Sequence, residues 1–121
     1  MFKDNWLLGI GCGNQNFREV YGLYMKTGFD ALSAYNIYLE TAVESGIFAL
    51  IAFLGFIISN IIKSLKFILT TKSAETLFVT AAILSITGML THGIVDTVFF
   101  RPQIQFTFWI MIGIIRVYCI K

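Results

Sequence analysis

Charge is what this sequence has least of. Only 13% of its 121 residues are Asp, Glu, Lys or Arg, about half the share usual in soluble domains. So few charges cannot cover the surface of a soluble globule. Proline occurs once, and with 16% aromatics, twelve of them Phe, the composition is that of neither a disordered tail nor a low-complexity segment. One His and two distant Cys make no structural zinc site. The nine Lys and Arg are too scattered for a nucleic-acid surface. No metal or organic cofactor is expected. What the chain does have is apolar: 57% of its residues are hydrophobic and its mean hydropathy is +0.78. Membrane is the first expectation, with the lipid bilayer as a partner.

Crossing a hydrocarbon core of about 30 Å takes about 20 mostly apolar helical residues. Residues 45–62 contain no Asp, Glu, Lys or Arg, and residues 76–95 are interrupted only by His92. Residues 104–120 carry Arg116 one turn from their end, where a long side chain can snorkel to the headgroups. The chain is too short to cover three helices that are apolar all round with its own protein. The expected fold is all-α: a polytopic membrane protein with about three spanning helices, near 46–63, 76–97 and 104–120, preceded by an outer-face helical loop segment over 1–44.

Lys63, Lys66 and Lys72 lie between the first two spans, and Arg116 and Lys121 lie at the end. Residues 27–44 have no Lys or Arg. Since basic residues are retained on the cytoplasmic side, the N-terminal segment is expected outside and the C-terminus in the cytoplasm. Cys12 and Cys119 then face opposite sides, which excludes a disulfide between them. Residues 1–13 lack the basic region, long apolar stretch and cleavage site of a signal peptide. The expectation is that they are interior to a longer polytopic protein; direct export of a short tail is the alternative.

In the outer segment, Gly9-Ile10-Gly11-Cys12-Gly13-Asn14 is a glycine-rich turn. It can either bring backbone N–H groups to an anion or simply end one segment and begin the next. It lacks the third glycine and the βαβ setting of a dinucleotide fingerprint. Asn14 is expected to cap a helix reaching about Met25, with Phe17, Tyr21, Tyr24 and Met25 on a membrane-surface face and Arg18 and Glu19 off it. Lys26-Thr27-Gly28-Phe29-Asp30 reads as a turn. The next helix is expected from Ser33, with Asn36, Glu40 and Glu44 on one face and Tyr35, Leu39, Ala42 and Val43 on the other. Such a stripe can face water, bind a cation, or act as acid and base.

His92 and Asp96 fall one helical turn apart near the outer end of the second span. Ionisable groups in a span normally face protein or a water-filled cavity. Asp96 lies at the interface, where Arg101 is within reach, and Gly88 and Gly93 suit close helix contact beside His92. The pair suits either proton transfer or a helix junction.

Several of these segments resemble a known family. Gly9 to Asn14 followed by Phe17, Ala34-Tyr35-Asn36-Ile37-Tyr38-Leu39-Glu40, and Glu44-Ser45-Gly46 are similar to the end of the outer-face loop in the O-antigen ligase and polymerase superfamily. Thr91-His92-Gly93-Ile94-Val95-Asp96-Thr97-Val98-Phe99-Phe100-Arg101-Pro102-Gln103, with Leu32-Ser33-Ala34-Tyr35, resembles its cyanobacterial branch, once proposed as inorganic-carbon (bicarbonate) transporters. The resemblance covers nearly the whole chain but only the last part of a family member. It implies a bacterial plasma-membrane location and further N-terminal spanning helices as partners of this segment. It also implies transfer of a polyprenyl-diphosphate-linked glycan at the outer face, with this portion inactive alone; the branch implies bicarbonate transport as the alternative. Tyr35 stands where the ligases place a His that activates the acceptor, and a phenol is a weaker base at neutral pH. On the resemblance Tyr35 and Glu44 are the candidate catalytic residues. Arg18, Asn36, Glu40, His92, Asp96 and Arg101 are the candidate substrate-binding residues, with Arg101 suited to an anionic group.

Overall fold

A computed structural model describes residues 1–25, 28 and 33–119. Most of the expected turn over residues 26–30, together with Leu32 and Lys121, lies outside the described residues. All regular structure among those described is helical: α1 (Asn14–Tyr24), α2 (Ile37–Thr70), α3 (Glu75–His92), a single 3-10 turn (Val98–Phe100) and α4 (Pro102–Cys119). The chain divides into two compact units, Met1–Phe53 with Gly93–Thr97, and Leu54–His92 with Val98–Lys121.

In the first unit the observed helix starts differ from those expected. Helix α1 has Gly13, not Asn14, at its cap position, with φ 120° and no side-chain cap. Glycine alone takes that backbone angle readily, and the Gly13 carbonyl accepts the Phe17 N–H at 3.1 Å to close the first turn. Phe17 is buried and stacks on Tyr21, so part of the expected membrane-surface face packs against protein. At its far end the Tyr24 hydroxyl donates to Asp4 Oδ2 at 2.7 Å.

Helix α2 starts at Ile37 instead of Ser33. Tyr35 has φ 49°, a left-handed angle that a helix cannot contain. Asn36 caps the helix, its Oδ1 accepting the N–H groups of Tyr38 and Leu39, both at 2.9 Å. Gly46, at φ 84° and ψ 176°, breaks α2, and the 24 residues beyond it rise about 36 Å, enough to cross a bilayer.

The second unit contains the rest of α2, with α3 packed against α4. Ile57, Val79, Ala82, Ile86, Phe108, Ile112 and Ile115 form its core. Phe108 meets Phe99 edge-on at 5.0 Å, and the Arg116 guanidinium sits 5.4 Å from the centre of the Phe56 ring, a cation–π contact. Asn60, 2% exposed, donates to the Phe56 carbonyl at 2.7 Å. Helix α3 ends at His92, five residues short of the expected end, because Gly93 leaves the helix and its carbonyl accepts the Ile37 N–H at 2.9 Å. His92 and Asp96 are therefore not one turn apart on a continuous helix.

Two helices among the described residues, α2 and α3, are long and apolar enough to cross a membrane, and only 17% of the apolar window of each is buried within the chain. Leu69, Leu77 and Leu84 are among the side chains left uncovered. Helix α4 follows the third expected span in position, but Gln103, Gln105 and Arg116 make it more polar, and it is not one of the two.

Candidate functional site

The first unit is organised around the break in α2. A regular helix would bond the Ile47 N–H to the Val43 carbonyl. Instead Ile47 N donates to the Trp6 carbonyl at 2.9 Å. The Val43 carbonyl accepts from Ile10 N at 2.9 Å and the Glu44 carbonyl from Gly11 N at 3.0 Å. The N-terminal loop thus satisfies the polar groups that the break exposes. The crossing is so close that a Cβ on Gly46 would run into the Leu7 carbonyl, and one on Gly9 into that of Glu44. Glu44 Oε1 also accepts the Gly13 N–H at 3.2 Å, and Cys12 Sγ lies 3.2 Å from Ser45 Oγ. The glycine-rich turn therefore directs one backbone N–H to an anionic group of the chain itself.

A second cluster forms where α2 begins. Asn36 Nδ2 donates to the Ile94 carbonyl at 2.8 Å, and the hydroxyls of Ser33 and Thr97, both buried, are 2.8 Å apart. Ser33 Oγ accepts the Tyr35 N–H at 3.2 Å, while Glu40 Oε2 accepts that of Ala34 at 2.7 Å. Glu40 is only 5% exposed, and its Oε1 is buried without a hydrogen-bond partner. The solvated-face reading of the stripe does not hold here: Glu40 points inward and Leu39, 57% exposed, points out. Burial pushes the Glu40 carboxyl above the usual carboxylate range; the Ala34 N–H pulls it back, and the Glu44 charge adds to the upward push.

The first unit holds Tyr35, Asn36, Glu40, Glu44, Asp96 and Arg18. Tyr35 is 53% exposed, on a turn held by its own N–H. Asp96 Oδ1 accepts the Thr97 N–H at 2.8 Å and so shapes the 93–97 turn. Arg18 lies on the exposed surface of α1. His92 and Arg101 belong to the second unit, both exposed, the first closing α3 and the second preceding α4. The Arg101 carbonyl accepts the N–H groups of Ile104 and Gln105, so the backbone of Arg101 starts α4 while its side chain stays exposed. Residue-by-residue reading missed Ser33 and Thr97. They stand 64 positions apart, and only the motifs containing them gave a signal.

No protein-family model, curated protein or solved structure matches the chain.

Chemically, the first unit offers a buried carboxyl, a second carboxylate one turn along the same helix, a pair of buried hydroxyls and an exposed phenol. Such a set can hold and move a proton and hydrogen-bond a polyhydroxylated or oxyanionic ligand.

Proposed function

We propose that the chain is part of a polytopic membrane protein of the O-antigen ligase type, acting at the outer face of a bacterial plasma membrane. Its parent transfers a polyprenyl-diphosphate-linked glycan to an acceptor hydroxyl. In this reading three helices span the bilayer, from just beyond Gly46, over α3 and over α4. Lys63, Lys66 and Lys72 keep the first connection in the cytoplasm, and residues 1–45 and 93–97 lie outside. The uncovered apolar sides of α2 and α3 support placement in lipid, since a soluble protein of this size would have to hide them.

One observation carries the functional reading. Parts of the segments on which the family resemblance rests are far apart in sequence, yet hydrogen bonds join them in the first unit: Gly11 to Glu44, Ile37 to Gly93 and Asn36 to Ile94. Tyr35 stands on the exposed turn between them, at the position from which the ligases activate the acceptor. The diphosphate is held by arginines of the parent's outer loop. The chain by itself transfers nothing.

The test is transfer of a labelled polyprenyl-diphosphate oligosaccharide in proteoliposomes, with bicarbonate uptake measured in parallel. The 121-residue chain alone is expected to show neither. Co-reconstituted with the upstream spans, it is expected to support transfer, and Tyr35→Phe to lower that rate about a hundredfold, the usual size of a lost acid–base group. Bicarbonate uptake without transfer would replace this reading with the transport one. Transfer unchanged in Tyr35→Phe would remove Tyr35 from the chemistry.

A further inference from the structure

Glu40 combines features that the transfer reading does not use. Its Oε1 is buried with no partner, and its Oε2 reaches back across the Asn36 cap to the Ala34 N–H. It thereby ties the 33–36 turn to the first turn of α2. An ionised carboxylate in that place would leave a charged oxygen without a donor, whereas a neutral carboxyl leaves only a hydroxyl unpaired, the smaller penalty. Among the described residues the following groups stand near it. On its own helix stands Glu44, of like sign. From the 33–36 turn come the Ala34 N–H and the Ser33 hydroxyl, which is engaged with Thr97. The 93–97 segment brings the Thr97 hydroxyl, which is engaged with Ser33. The Ala34 N–H favours ionisation, but it serves one oxygen only.

We propose that Glu40 is a proton-operated clasp: with its proton it holds the 33–36 turn against α2, and without it the carboxylate turns to water and the turn opens. Residues Tyr35 and Asn36, which the turn carries, are then released from their fixed positions. The clasp is independent of whether the protein transfers a glycan or moves an ion.

The sign follows from burial. A carboxyl held above its ordinary range in the folded protein stabilises the fold fully below that range and loses the effect as pH rises through the raised value. Above that point, opening of the turn should increase about tenfold per pH unit.

The experiment uses the full chain in lipid nanodiscs with carboxyl-13C glutamate, following the four Glu signals against pH. One is expected to titrate above the ordinary carboxylate range, to vanish in Glu40→Gln and to move down in Glu44→Gln. In parallel, exchange of the Ala34 and Tyr35 amides should accelerate through the same pH beyond intrinsic base catalysis, but not in Glu40→Gln. The clasp is overturned if all four glutamates titrate in the ordinary range. It is equally overturned if the amides do not respond, or respond to sodium at constant pH, which would make the site a cation site. Should Glu40→Gln fail to fold, the wild-type titration and its shift in Glu44→Gln still decide.

Discussion

Glycine at position 46 does two things that no other residue can. It takes φ 84° inside a long helix, and it lets the Leu7 carbonyl approach where a Cβ would stand. Gly46→Ala should therefore destabilise the first unit by about 2 kcal/mol or more, adding backbone strain to the collision. Gly55 supplies the control, being in the same helix with nothing near its Cβ position, so Gly55→Ala should be neutral or stabilise by about 0.5–1 kcal/mol. Unfolding of each variant in detergent measures both, and equal stabilities would show that the close crossing does not matter. The sequence signalled a turn at the glycine run but not its partner. A glycine within an apolar stretch looks the same whether it is left open, as the exposed Gly55 is, or meets another backbone.

At the scale of elements, the long apolar stretches were readable because hydrophobicity is summed over many residues and survives local errors. Helices α2, α3 and α4 overlap the three expected stretches; the ends of α3 and α4 lie within five residues of those expected, whereas α2 extends nine residues before and seven beyond 46–63. At the start of α2 and the end of α3 a tertiary hydrogen bond competes with the helix: Ile37 N–H to the Gly93 carbonyl, and Asn36 to the Ile94 carbonyl. A charge placed at mid-span tests the proposed membrane placement of α2. Ile58 is 54% exposed in the chain, and in the proposed span Ile58→Arg should cost about 2.5–3.5 kcal/mol of insertion. Leu69→Arg, near the helix end, should cost far less because the side chain can snorkel. Resistance to alkaline extraction in cells reads the difference, and equal retention of the two variants would count against α2 as a span.

For the whole molecule the decisive property is orientation. Cys12 is exposed and Cys119 half-buried, and in the proposed topology they lie on opposite sides of the bilayer. An impermeant maleimide should label Cys12 in intact cells and Cys119 only after permeabilisation. Labelling of Cys119 alone in intact cells would reverse the proposed topology. Orientation is argued from charge, and the helices have no say in it, because the positive-inside bias acts on flanking loops.

The scarcity of charge across the sequence and its long apolar runs determined the strongly apolar character of the chain and the places of its long helices. Hydropathy and basic residues are additive along the chain and need no knowledge of contacts. Only the tertiary structure decided that Glu40 is turned inward with one oxygen unpaired, that the N-terminal loop splices the break at Gly46, and that residues 33 and 97 share a hydrogen bond. A buried polar atom is defined by what surrounds it, and its surroundings here come from segments tens of residues away.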